Sequence, residues 1–326
     1  MSLMGFVGNA WASAAGETAR TNAQPSVERS LFMGAGNREW GRAAAFSDGR
    51  IARIALRTHP VKPLQGFDTH AHVFSATAPA VAGARYRPAY AATLEDWRSR
   101  WGTAGITHGV VVQVSFYGTD NAEVLAALAQ DPSRLRGVAV VDPSIGEAEL
   151  SRLHEGGIRA IRLNVKSAPD YAPYASDAWK ALYRRIHARG WHVETYVDTG
   201  RLPEIAPAFA GTPVAVCFDH FGNPGATHAQ ADTTFRAVAA LAKEREVFAK
   251  LSAPYRLGGT NPASLAARWL DAVGPRNLVW GSDWPWTNHE HANDYGRLRS
   301  MLEDWMPAAL RPAILWDNAA RLYGFD

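Results

Sequence analysis

Two histidines two residues apart, His70 and His72, lie in the stretch Gly66-Phe67-Asp68-Thr69-His70-Ala71-His72-Val73-Phe74. The β-branched and aromatic residues around them predict a strand, on which residues i and i+2 point to one face. Both imidazoles then project together, with Asp68 one step behind on the same face. Converging imidazoles can hold a metal ion or jointly polarise one substrate oxygen. A third histidine, His220, follows the apolar run 214–218. Asp283 follows Leu278-Val279-Trp280-Gly281-Ser282, and the Trp284-Pro285 pair after it delays any helix. Its carboxylate is then not committed to a helix cap and can take a proton from an attacking water.

Cations accompany this set. In Arg162-Leu163-Asn164-Val165-Lys166 the alternation places Arg162, Asn164 and Lys166 on one face. An arginine fork matches a carboxylate, so Arg162 together with Arg256 suggests an anionic substrate. Tyr86, Tyr196 and Ser115 can add hydrogen bonds. Lys166 can equally be solvated, and Glu194 is an inward charge for which the sequence offers no partner. Cys217 sits among apolar neighbours and reads as core filling. No Gly-x-Ser-x-Gly elbow and no phosphate-binding loop occurs.

These residues need elements that bring them to one place. Apolar strand candidates fall at 67–73, 109–115, 137–142, 158–164, 192–197, 214–221, 247–253 and 278–283. Helical stretches separate them at 93–104, 119–130, 146–155, 176–189, 202–210, 229–245, 262–273 and 294–304. Start signals such as Thr93 before Glu95 and Asp96, and stop signals such as Gly105 and Gly190, bound several helices. Eight such units in about 260 residues are the arithmetic of a (β/α)8 TIM barrel, whose catalytic groups sit at the C-terminal strand ends. A doubly wound open sheet usually brings a Gly-rich first turn, which this chain lacks. Residues 1–58 form an N-terminal extension with a β-hairpin expected around Asp48-Gly49. Residues 59–326 form the barrel.

Of the 326 residues 47% are apolar and 20% charged, which leaves ample core for a soluble enzyme. No apolar run approaches the roughly 18 residues of a membrane span. The formal charge is +3 with scattered Lys and Arg, so neither a nucleic-acid partner nor a membrane surface is indicated. A single cysteine excludes an internal disulfide and a cysteine-rich metal site. Ala10-Trp11-Ala12-Ser13-Ala14 resembles a signal cleavage site but lacks the basic n-region. The expected location is cytoplasmic, with periplasmic as the alternative, and the expected state a monomer or homo-oligomer.

The motifs Asp68-Thr69-His70-Ala71-His72-Val73-Phe74, Gly118-Thr119-Asp120-Asn121, Gly137-Val138-Ala139-Val140-Val141-Asp142-Pro143, Asp219-His220-Phe221-Gly222 and Trp280-Gly281-Ser282-Asp283-Trp284-Pro285 together resemble the amidohydrolase superfamily. More narrowly they resemble its 2-pyrone-4,6-dicarboxylate lactonase branch, from about residue 60 to the end. The resemblance implies hydrolysis of a small anionic lactone, with Asp283 as general base and His70, His72 and His220 polarising the carbonyl. It assigns substrate carboxylates to Arg162, Arg256, Tyr86, Tyr196 and Ser115. It also implies that no cofactor is required. The alternative is one divalent metal such as Zn2+ on His70, His72, His220 and Asp283, in a hydrolase or decarboxylase of a small acid; a lactone isomerase is a further alternative. The branch carries a second Arg soon after the strand-four Arg, where this chain has Lys166, Ser167 and Ala168. A point charge in place of a fork leaves a sugar-acid or muconolactone-type lactone fitting as well as the pyrone dicarboxylate.

Overall fold

The structure, a computed structural model, describes residues 65–84 and 86–325. The expected extension and its hairpin lie outside the described residues. Eight strands run β1 (Phe67–Ala71), β2 (His108–Val112), β3 (Leu135–Ala139), β4 (Ile158–Asn164), β5 (His192–Tyr196), β6 (Val216–Phe218), β7 (Val247–Leu251) and β8 (Leu278–Trp280). They form one parallel sheet in sequence order, with helices in the connections. This is the expected (β/α)8 barrel. Every expected strand and helix is present; β4 ends where expected, β5 one residue early, and the other six strands two or three residues early. Strand six stops at Phe218, so His220 opens a short turn, His220–Gly222, instead of ending the strand.

The sheet closes through a seam between β1 and β8. Thr69 Oγ1 donates to Trp280 O at 2.8 Å. Beyond β8, Asp283 N donates to His70 O and His72 N donates to Trp284 O, both at 2.8 Å. Gly281 permits this approach. A Cβ there would stand 2.8 Å from His70 Cβ and 3.0 Å from His70 N.

The interior of the barrel is apolar at its base. Phe67, Val110, Val112, Val138, Ala160, Cys217, Phe248 and Val279 pack there with Leu322 and Tyr323 from the C-terminal helix Asn318–Tyr323. A larger apolar layer lies between sheet and helices. Strand β1 corrects one expectation. Its register slips between Asp68 and Ala71, where three residues span two on β2. This bulge breaks the alternation, so Phe67, His70 and His72 face inward while Asp68 faces the helices. There Asp68 accepts from Trp97 Nε1 (2.8 Å), Tyr295 OH (2.9 Å), Ser282 N (2.8 Å) and Ser282 Oγ (2.6 Å). It pins the residue before Asp283 to the first strand. No described helix is long and apolar enough to cross a membrane.

Overpacking a tight contact costs typically about 1–3 kcal/mol. Gly281→Ala should destabilise the fold by that order in urea unfolding. Because the added methyl pushes on the backbone of His70, turnover should fall at least tenfold in the protein that remains folded.

Candidate active site

The C-terminal ends of the strands place the site. β1 supplies His70 and His72, the turn after β6 supplies His220, and the loop after β8 supplies Asp283. His220 and Asp283 both have left-handed backbone, φ 53° and 59°. Non-glycine residues rarely adopt this conformation, which here turns both side chains back over the barrel mouth. The three imidazoles meet at one carboxylate oxygen. Asp283 Oδ1 lies 3.6 Å from His70 Nε2, 3.7 Å from His72 Nε2 and 3.7 Å from His220 Nε2. These separations exceed hydrogen-bond length and suit one small species held between the four groups.

The other oxygen, Oδ2, is occupied. Tyr255 OH donates to it at 2.7 Å and Arg256 Nε at 2.8 Å. Burial alone would raise the Asp283 carboxyl, but Arg256 and the imidazoles hold it well below the usual carboxylate range. Burial pushes His220 down to about 3 against the opposing pull of Asp283. Burial, with the charge of Arg162, also drives His72 well below its ordinary value. An ionised carboxylate therefore faces neutral imidazoles at His72 and His220 near neutral pH.

Hydrogen bonds on the far side of each ring set what it presents. His72 Nδ1 lies 2.7 Å from Val112 O. A carbonyl only accepts, so the proton sits on Nδ1 and Nε2 offers a lone pair. His72 is thus arranged to accept a proton or coordinate a metal. His220 Nδ1 lies 2.8 Å from Ser252 Oγ, which can donate or accept. His70 Nδ1 faces Lys250 Nζ at 3.1 Å and Asp219 Oδ1 at 3.3 Å, and its Nε2 is buried with no hydrogen-bond partner.

A cavity of about 70 Å³ opens beside these groups, lined by His72, Tyr86, Ser115, Arg162, Asn164, Tyr196, His220, Arg256 and Asp283 among others. All the expected binding residues reach its wall, but in different states. Arg162 is buried, gives Nη1 to Gln113 O at 2.8 Å and keeps Nε without a partner. Arg256 is committed to Asp283, with Nη2 on Thr287 O at 3.0 Å. Tyr86 OH donates to Glu290 at 3.1 Å. Tyr196 OH accepts from Lys166 Nζ at 2.9 Å, so Lys166 is tied to the site and not simply solvated. Ser115 begins a turn after β2 instead of ending the strand.

The sequence reading left Asp219, Lys250 and Tyr255 without roles and Glu194 without a partner. Inside the barrel, Lys250 Nζ meets Glu194 Oε2 at 2.5 Å and Asp219 Oδ1 at 3.3 Å. Glu194 Oε1 accepts from Tyr323 OH at 2.5 Å and faces His192 Nε2 at 3.3 Å. Burial opposes every charge here, yet Lys250 holds Asp219 well below the carboxylate range and Glu194 below it. The two acids in turn raise Lys250. The signal was the alternation Phe248-Lys250-Ser252, which aims a lysine inward from mid-strand.

His70, His72 and Asp283 are close enough to hold one metal ion, and His220 completes the donor set. The unpartnered Nε2 of His70 and the lone pair of His72 suit such an ion in donor type.

His220, protonating near pH 6.5 when unfolded and at about 3 when folded, takes up its proton more readily in the unfolded chain between those values. Stability then rises with pH across that window and is lost as pH falls through it. His220→Gln should flatten the stability–pH slope between about pH 3 and 6.5, read as thermal midpoints with chelator present.

Comparison with known proteins agrees with this architecture. The amidohydrolase family model matches residues 67–325. The 2-pyrone-4,6-dicarboxylate hydrolase of Comamonas testosteroni is 33% identical over 279 residues, 80% of this chain and 90% of that protein. The 4-sulfomuconolactone hydrolase of Rhizobium radiobacter is 29% identical over 276 residues, 80% of this chain and 91% of that one. A solved structure from Acinetobacter baumannii, assigned as a 2-pyrone-4,6-dicarboxylic acid hydrolase and holding citric acid, superposes with a TM-score of 0.71 at 30% identity. It covers 80% of this chain and 99% of that one. With its barrel complete and the His-x-His pair, His220 and Asp283 gathered at one rim, this chain belongs to the amidohydrolase family.

Proposed function

We propose that this protein hydrolyses the ester of a small carboxylated lactone. One observation carries the reading. A buried, ionised Asp283 keeps Oδ1 free at 3.6–3.7 Å from three imidazole nitrogens while Tyr255 and Arg256 fix Oδ2. A water between Oδ1 and the His72 lone pair is oriented by two acceptors, which directs its oxygen lone pair at the lactone carbonyl. As that oxygen bonds to the carbonyl carbon, its proton passes to Asp283. The developing oxyanion faces the remaining imidazoles. When the ring C–O bond breaks, the proton on Asp283 returns to the departing alkoxide, and the product is an open-chain hydroxy acid.

The substrate carboxylate is assigned to the wall that carries Arg162, Ser115 and the Lys166–Tyr196 pair. Arg162 lines the pocket with only Nη1 hydrogen-bonded to the protein, and Lys166 adds positive charge through the Tyr196 hydroxyl. The names of the relatives support a lactone. The citric acid in the Acinetobacter structure supports a site of that shape that accepts carboxylates. Arg256, with Nε on Asp283 Oδ2 and Nη2 on Thr287 O, tunes the base more than it reads the substrate.

A second reading, a metal-dependent hydrolase, is favoured by the unpartnered His70 Nε2. One divalent ion on His70, His72, His220 and Asp283 would supply Lewis acidity at the carbonyl. In that case Asp283 would still hold the proton and the same wall would bind the carboxylate.

Asp283→Asn should cut kcat by about 10²–10⁴-fold while leaving the binding of citrate within a few-fold. A variant that keeps its turnover rules out Asp283 as the base. In a panel of lactones, those with a ring-borne carboxylate should exceed their neutral counterparts at least a hundredfold in kcat/KM. Equal rates would overturn the anionic-substrate assignment. Activity that survives exhaustive chelation separates the two readings.

A further inference from the structure

Beneath the site, the ammonium of Lys250 is surrounded by groups from β5, β1 and the residue after β6: Glu194 Oε2 at 2.5 Å, His70 Nδ1 at 3.1 Å and Asp219 Oδ1 at 3.3 Å. All four side chains are buried. An ammonium has three N–H donors and no acceptor. Glu194 accepts one, and a second faces Asp219 in an ion-pair contact only, both Asp219 oxygens lacking a hydrogen-bond partner. The third N–H has His70 Nδ1 as its neighbour, and an N–H at Nδ1 would set two protons against each other across 3.1 Å. The competing arrangement puts the His70 proton on Nδ1, donating to Asp219 Oδ1 at 3.3 Å. It trades the Lys250–His70 hydrogen bond for a contact to Asp219 that lacks hydrogen-bond geometry.

The geometry points to Lys250 as the residue that sets the tautomer of His70: its ammonium fills a cation site formed by His70, Glu194 and Asp219 and fixes the imidazole proton on Nε2, the nitrogen 3.6 Å from Asp283 Oδ1. His70 then becomes the hydrogen-bond donor for the lactone oxyanion, opposite in sense to His72, whose Nε2 presents a lone pair. The same choice works against a metal ion. An Nε2 that carries a proton cannot ligate, so an ion on His70, His72 and Asp283 must first displace that proton and reverse the contact with Lys250. Lys250 touches neither substrate nor reacting atoms. It is a positioning residue, acting through His70, and it decides between the metal-free and metal-dependent chemistries that the same four ligands support. This inference deepens the lactonase reading but rests on contacts that exist without substrate.

The test begins with the unaltered full chain. Long-range proton–nitrogen correlation on histidine-labelled protein, with His70 assigned by His70→Gln, should show the proton on Nε2 and a bare Nδ1. A proton on Nδ1 overturns the inference. The second arm replaces Lys250→Met together with Glu194→Gln, which removes one charge of each sign and leaves Asp219 facing His70 and Arg162. In that variant the His70 proton should move to Nδ1, toward Asp219. Zinc affinity, read by competition with a chromogenic chelator, should rise at least tenfold. Unchanged zinc affinity and an unmoved proton count against Lys250 as the determinant. The nitrogen spectrum needs no turnover. A proton on Nε2 with no lactone hydrolysed sinks the lactonase reading alone, and hydrolysis with the proton on Nδ1 sinks this one alone.

Discussion

The seam between first and last strands is the constraint on which the site depends. Asp283 and His70 are remote in sequence, yet the backbone N–H of one bonds the carbonyl of the other at 2.8 Å. A backbone hydrogen bond fixes the positions of two side chains more tightly than side-chain contact can, because it leaves only χ rotation to be settled. Gly281 removes the one methyl that would hold the strands apart. Asp68 anchors Ser282 with both carboxylate oxygens from the outer face. A polar group buried among helices earns its place only if its acceptors are filled, and Asp68 is filled by donors from β1, the Ser282 loop and two helices. The base and the imidazoles are thereby registered before any substrate arrives.

A second constraint is electrostatic. The barrel buries Lys250, Glu194, Asp219 and Arg162 in a volume that proteins usually fill with Val and Ile. Desolvating each ion costs several kcal/mol, and such a cluster is weak evidence for stability. Its arrangement is better understood from above. Lys250 bonds His70, while Arg162 reaches from the substrate wall to within 3.9 Å of Asp219. The charges connect the wall that would hold a carboxylate to the ring that would hold an oxyanion. Apolar residues below, with Tyr323 as a cap on Glu194, exclude water and keep these interactions in a low dielectric.

Much of this was legible in the sequence. The eight strands and helices followed from apolar periodicity and Gly stops, and His70, His72, His220 and Asp283 were visible as polar residues just past apolar runs. What escaped had physical causes. Asp68 was placed on the inner face because simple alternation cannot foresee a bulge. The partner of Glu194 stayed hidden because the pair Lys250–Glu194 joins β5 to β7, two strands with β6 between them, and no spacing along the chain encodes such a pairing. The commitment of Arg256 to Asp283 depends on loop conformation after β7, where Ala253 takes φ 49°. No periodicity encodes that turn.

The commitment of Arg256 also narrows what the site can recognise. A guanidinium that holds Asp283 Oδ2 at 2.8 Å keeps the base ionised in a buried place, and lending that fork to a substrate carboxylate would weaken the base when it is needed. In the proposed reaction, anion recognition would then fall on Arg162 and on Lys166 through Tyr196. The first gives one N–H of Nη1 to Gln113 O and turns Nε toward Asp219 at 3.9 Å, which leaves Nη2 and the other Nη1 N–H for a ligand. The second offers a hydroxyl polarised by a cation. That is one guanidinium edge and one hydroxyl, where a dicarboxylate would favour two forks. A lactone with one well-placed carboxylate, its remaining polar groups met by Ser115 and Asn164, matches that arrangement better than a substrate that demands two bidentate clamps.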